Sequence, residues 1–159
     1  MKVLVVGIGH SLRGDDAAGL EAVSIWKRDY PSTASLPAVR VELVESPGVE
    51  LATLLQGAEA VLLVDAVRSG AGIGHLHRLI ESDIAALIAT SGSMHGWGIP
   101  EALKMAKALG FQSTEGNIVM LGIEAAQTNI GAPLSTEVRN VMPTAAEAIE
   151  NEIRALLTA

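Results

Sequence analysis

The chain has 159 residues, 49% of them hydrophobic and 3% aromatic, with a net charge of −7 and no cysteine. That length and apolar content suit one compact domain over residues 1–159 with an aliphatic core. The acidity argues against nucleic acid or an anionic membrane surface as partner, because phosphate binding rests on clustered Lys and Arg; the lack of cysteine excludes thiol catalysis, disulfides and cysteine-ligated zinc, leaving oxygen and imidazole as metal donors.

No apolar run reaches the length of a membrane span. Met1-Lys2 leads directly into an apolar run without a signal-peptide pattern, so the expected location is the cytoplasm and no membrane insertion is expected.

Val3 to Val6 is a continuous, mostly β-branched run, the pattern of a central strand buried on both faces of a parallel sheet. Gly7, Gly9 and Gly14 then let the backbone turn, and Asp15-Asp16 stand where a helix begins, with Leu20, Val23 and Trp26 forming its apolar stripe. One of the two carboxylates is expected to cap that helix, Asp15 in preference to Asp16. The Gly7-x-Gly9 turn suggests a dinucleotide fingerprint, but Leu12 stands where its third glycine belongs. Two aspartates at a helix start would also repel a pyrophosphate. The same carboxylates suit a cation.

Asp29 to Pro37 reads as a polar surface connection that serves only as spacing. Val41 to Val44 is a short strand, and Ser46-Pro47-Gly48 turns into a helix carrying Val49, Ala52, Leu54 and Leu55 and ending at Gly57. Ala60 to Val64 is a second buried strand that runs directly into Asp65. Ligands of open α/β sheets sit outside the carboxyl ends of the strands, so Asp65 and the Gly7 to Asp16 turn should open onto one crevice.

Gly74 to Ile80 is a weaker strand, expected near an edge, with His75 and His77 on one face as surface residues. Thr90 to Gly98 is glycine-rich and polar and carries His95 on a loop, where no packing task explains it. Pro100 opens a helix over Glu101 to Leu109. Asn117 to Ile123 is the last buried strand, and Glu124 at its end, like Glu45 after the second strand, is placed to line the cleft. From Ser135 an apolar stripe through Val138, Met142, Ile149, Ile153 and Leu156 marks a final helix that Pro143 should kink or divide.

Strands alternating with helices predict a three-layer α/β/α sandwich around a mostly parallel five-stranded sheet. In that topology Asp16, Asp65 and His95 can meet at one rim, and two carboxylates with an imidazole suit a divalent metal such as zinc or nickel, with positions open for water or substrate. Taken singly, each has an ordinary explanation: a helix cap for Asp16, a strand-end turn for Asp65, a solvated surface residue for His95. Other chemistries fit less well. Ser91-Gly92-Ser93 is not a nucleophile elbow, and no P-loop lysine follows Gly14.

With GIGHSLRGDDAAG, LLVDAV, SMHG, GIE and PLSTEV in that order, the chain resembles the hydrogenase maturation proteases, endopeptidases that remove a C-terminal extension from the large subunit of nickel-iron hydrogenases. The resemblance implies that Asp16, Asp65 and His95 occupy the family's metal-binding positions and that the partner is a nickel-loaded large-subunit precursor. It further implies nickel, carried by the substrate or held by the protein, as the metal, with zinc as the other candidate. The chain departs from the family pattern at His10, where asparagine is usual, at Ala17, where glycine is usual, and after the second strand, where Glu45 to Gly48 lacks a glycine-threonine character. His10 is therefore expected to reach the crevice, as a fourth ligand or as a hydrogen-bond partner of a carboxylate. The alternative reading is a non-catalytic nickel- or nucleotide-binding module that checks assembly without cutting. A general metallopeptidase acting on unstructured peptides is the third.

Overall fold

The computed structural model describes residues 1–45, 48–91, 98–111 and 117–159, the side chains of 87–91 excepted. The turn expected at Ser46-Pro47 and the loop bearing His95 lie outside the described residues.

Five strands, β1 (Val3–Ile8), β2 (Val39–Val44), β3 (Ala60–Val67), β4 (Leu76–Ile80) and β5 (Ile118–Glu124), form one sheet in the order β2-β1-β3-β5-β4. The β1, β2, β3 and β5 pairings are parallel and only β4 runs antiparallel, along β5. The continuous apolar runs of β1, β3 and β5 are buried at every residue, as expected of inner strands covered on both sides. The weaker β4 is an edge strand, as its sequence predicts.

Alternate residues divide the core into two layers. Val3, Val5, Leu62, Val64, Leu121 and Ile123 pack against α1 (Ala18–Asp29) and α6 (Thr136–Thr158). On the other face, Leu4, Val6, Leu63 and Met120 meet α3 (Gly48–Leu54) and α5 (Ile99–Ala108), together with Ile84 of α4 (Glu81–Ser91). The architecture is the expected α/β/α sandwich.

Three local expectations need correction. The Asp29 to Pro37 connection is more than spacing: it contains the short helix α2 (Pro31–Ala34), and buried Thr33 donates to Glu150 Oε1 at 2.7 Å. Helix α6 is not divided, because Pro143 lies on its exposed face, where water can serve the carbonyl left without a helical donor, while the stripe through Met142, Ala146, Ile149 and Ile153 stays in the core. Helix α4 has no counterpart among the predicted elements, since it follows β4 with no glycine or proline to mark a boundary. Among the described residues no helix is long and apolar enough to cross a membrane.

Candidate active site at the carboxyl edge of the sheet

Strand β1 connects to β2 on one side of it, while β3 flanks it on the other, so the chain reverses direction of travel across the sheet between β1 and β3. Such a switch point opens a crevice beyond the carboxyl ends of the two strands. The register sets Gly7 opposite Val64, which brings the turn after β1 and Asp65 of β3 to the same edge.

Two glycines close this edge tightly. A Cβ on Gly9 would overlap the backbone carbonyl oxygen of Asp16. A Cβ on Gly19, the second residue of the following helix, would overlap the carbonyl oxygens of Ile8 and Val64 and come within 2.9 Å of the Asp65 Cα. Only glycine lets the 3₁₀ turn Gly14–Ala17 and the start of α1 settle onto the ends of β1 and β3. Asp16 and Asp65 therefore arrive at one edge from distant parts of the chain, both buried, at 1% and 4% relative exposure.

The two carboxylates are held differently. Asp65 Oδ1 accepts from its neighbour Ala66 N at 2.8 Å. Asp16 Oδ2 faces the half-buried His10, whose Nε2 lies 4.0 Å away, in ion-pair range but beyond a hydrogen bond. The imidazole therefore stands beside Asp16, at a separation that gives this pair of atoms no hydrogen bond. The His10 backbone is tied to the same turn, with His10 N donating to Asp16 O at 3.2 Å and Arg13 N to His10 O at 3.2 Å. Next to it, Ser11 N donates to Glu45 Oε1 at 2.7 Å; hydrogen bonds from the Ser11 side chain and amide hold the Glu45 carboxyl below the usual range. Glu45 therefore stands beside the turn that carries His10.

Asp15 does not cap α1. Its carboxylate instead accepts from Ser135 N at 2.6 Å, Ser135 Oγ at 2.8 Å, Ala126 N at 2.8 Å and Gln127 N at 3.1 Å. Neither the 3₁₀ turn nor α1 has a side-chain cap, because the fully buried Asp15 gains more from four distant donors than one helix end offers. Asp15 is thus a clamp between the first turn and the segment linking β5 to α6.

Glu124 also serves structure. Burial alone would raise its carboxyl, but Ser69 N, His77, Ser69 Oγ and Gly70 N together hold it below the ordinary range. Its Oε1 accepts from Ser69 N at 2.8 Å and Gly70 N at 3.0 Å, and Oε2 lies 2.9 Å from both Ser69 Oγ and His77 Nε2. Far from being a surface residue, His77 is mostly buried against Glu124, with the exposed His75 ring edge-on at 4.7 Å. Sequence reasoning missed Ser69 and Ser135, whose partners stand 55 and 120 residues away.

Among the described residues no three His, Asp or Glu side chains are grouped to hold an ion as they stand. The third predicted donor, His95, lies outside those residues. The donor types at the edge, two buried carboxylates and the imidazole 4.0 Å from one of them, are nevertheless of the kind that suits zinc or nickel.

A family profile described as hydrogenase maturation protease matches residues 39–152. Among curated relatives, the hydrogenase expression/formation protein HupD of Rhodobacter capsulatus is 32% identical over 113 residues, covering 69% of this chain and 51% of that protein. HupD of Thiocapsa roseopersicina is 24% identical over 150 residues, 92% of this chain and 65% of its own length. The chain thus spans between about half and two thirds of these relatives. Of solved structures, the Escherichia coli hydrogenase maturating endopeptidase HybD superposes with a TM-score of 0.79 at 21% identity, covering 98% of this chain and 93% of that one, a likeness of fold. The [NiFe] hydrogenase maturation protease HybD from Thermococcus kodakarensis gives 0.72 at 26% identity, with 95% and 98% covered.

Proposed function

From the chain's membership of the hydrogenase maturation protease family, we propose that it is an endopeptidase that removes the C-terminal extension of a nickel-loaded [NiFe]-hydrogenase large-subunit precursor in the cytoplasm. The observation that carries this reading is the burial of Asp16 and Asp65 at one edge of the sheet, beside the β1/β3 switch point. Burial of two carboxylates at that position carries a cost in desolvation, which positive charge beside them offsets. A cation brought to them relieves that cost.

In this proposal Asp16, Asp65 and His95 hold a divalent ion, either the nickel that the precursor carries or a resident zinc or nickel. An ion held there supplies Lewis acidity at a scissile carbonyl and lowers the pKa of water. The chain's own residues do the rest: the two aspartates orient the ion against the substrate, and a carboxylate oxygen not engaged with it accepts a proton from the attacking water.

Mass spectrometry of a nickel-bearing precursor incubated with the protein tests this. Loss of the C-terminal peptide with wild type, and its retention with Asp16→Asn and with His95→Ala, is the expected result. Normal trimming by both variants would end the proposal, and a stable complex with an unchanged precursor mass would favour a binding module that does not cut.

A further inference from the structure

We infer that the paired loops 10–14 and 126–135 form a docking surface for the polypeptide substrate, taking an apolar side chain against Leu12 and Ile130 and an acidic one beside Arg13 and Arg68. The inference rests on the endopeptidase reading above and adds a substrate chemistry to it. Among the described residues Leu12 and Ile130 are the most exposed large hydrophobic side chains, at 72% and 82%. Gly131 N donates to Leu12 O at 2.7 Å, which sets the two on adjoining segments of backbone. Leu12 lies four residues before Asp16, on the turn that brings that carboxylate to the edge of the sheet. Scattered apolar side chains are ordinary on a protein surface, but a pair gathered beside a candidate site marks a contact with another molecule.

The backbone beneath the pair is fixed. Gly14 N donates to Ala132 O at 3.1 Å, Asp15 N to Gln127 O at 2.7 Å, and the Asp15 carboxylate accepts from Ala126, Gln127 and Ser135. Gly14 has a φ of 56°, and a Cβ there would stand 2.5 Å from Gln127 O, so glycine is what lets the two loops close. Loops already held in place lose little freedom when a ligand docks, which leaves more of the contact energy for binding. Charge then decides the occupant. Acidic residues outnumber basic ones by 18 to 11 in the chain, yet the exposed Arg13 and Arg68 form no ion pair among the described residues. Arg68 Nη2 donates to Ala126 O at 3.2 Å and Thr128 Oγ1 at 3.1 Å, which fixes the guanidinium on the loop that bears Ile130. Its Nε and Nη1 have no protein acceptor among the described residues, and that fork suits a carboxylate. A second copy of this chain would set a net charge of −7 against −7, whereas a substrate segment with an apolar and an acidic side chain complements both halves of the surface.

The test uses the purified full chain and a nickel-bearing [NiFe]-hydrogenase large-subunit precursor, with trimming followed by mass spectrometry over a range of precursor and salt concentrations. In the double variant Leu12→Ser with Ile130→Ser, KM should rise roughly 10- to 100-fold while kcat stays within about twofold of wild type. Arg68→Glu should raise KM at low salt and flatten its dependence on ionic strength. Exposed positions carry little stability, so the variants should melt with wild type, and Arg68→Gln replaces Arg68→Glu if that protein melts lower. Ile80→Ser, at an exposed position of β4 beside the start of β5 and so at the opposite edge of the sheet, should leave KM unchanged. Wild-type KM in the double variant or in both Arg68 variants would overturn the inference. So would a wild-type dimer that the double variant dissolves, since the face would then serve a second copy. The parent reading is judged separately. A wild-type chain that binds the precursor without trimming it ends that reading alone, and calorimetric Kd values of the same variants then read the surface; a chain that neither binds nor trims overturns both.

Discussion

The adjacent pair Asp15 and Asp16 should respond to substitution in opposite ways. Asp15 accepts four hydrogen bonds at 2.6 to 3.1 Å, three of them from backbone amides that cannot move away. Truncation in Asp15→Ala strands those donors in the interior at about 1–3 kcal/mol each, less what an entering water recovers, so a net loss of about 3–6 kcal/mol is expected. For a domain of this size each kcal/mol moves the melting temperature by about 2–4 °C, which puts the fall at about 6–24 °C. Asp15→Asn keeps the shape and one acceptor oxygen but turns an amide NH2 toward donors, and should lose about half as much. Asp16→Asn keeps the volume of the side chain and should lower the melting temperature less than Asp15→Ala does, while abolishing precursor trimming. Differential scanning calorimetry of the three variants, with mass analysis of the precursor, gives the comparison. An Asp15→Ala protein that melts with wild type, or an Asp16→Asn protein that melts as low as Asp15→Ala, would refute the division of roles.

Two further outcomes follow from the packing and the buried charges. Gly19→Ala should cost about 3 kcal/mol or more and lower trimming, because the added methyl overlaps the Ile8 and Val64 carbonyls and presses on Asp65, whereas Gly72→Ala, with nothing within 4 Å, should be neutral in both melting temperature and trimming. The Glu124 and Glu150 carboxyls are held below their ordinary value of 4.5 despite burial that would raise them, Glu150 by Trp26, Arg154 and Thr33. A depressed folded value means the contribution is complete above about pH 4.5 and is lost as pH falls through the lower folded values. Urea midpoints measured between about pH 6 and pH 3 should therefore decline, and the decline should be shallower in Glu124→Gln, even though that variant is less stable at neutral pH; an identical slope would remove Glu124 from the account.

The fold was legible because the inner strands of the sheet run parallel and are covered on both faces. Apolar runs such as Val3 to Val6, Ala60 to Val64 and the 118–123 segment can only be inner strands, and each begins or ends at glycine or a carboxylate. Elements whose boundaries carry no punctuation were not legible. Helix α4 grows straight from β4, and α2 is four residues long, anchored by the contact between Thr33 and Glu150 that lies 117 residues apart in sequence. Long-range hydrogen bonds of this kind leave no periodicity for a local reading to detect.

The same limit explains what was misread at the site. Placing Asp15 at a helix cap assumes that the α-helix starts at the aspartates, but a 3₁₀ turn occupies Gly14–Ala17 first. With three residues per turn, neighbours in such a turn diverge by about 120°. Asp15 therefore faces the 126–127 amides and Ser135, while Asp16 faces His10 and the ends of β1 and β3. One short turn thus aims two identical side chains at opposite tasks. The sequence shows the doublet, but only the tertiary partners decide which carboxylate fastens the α6 segment and which is available at the edge of the sheet. His77 was misjudged for the related reason that alternation along β4 shows which face it occupies, not that Glu124 of the antiparallel neighbour waits on that face. Asp15 fixes the turn that carries Asp16, and Glu124 fixes the 69–70 loop that follows β3 and its Asp65.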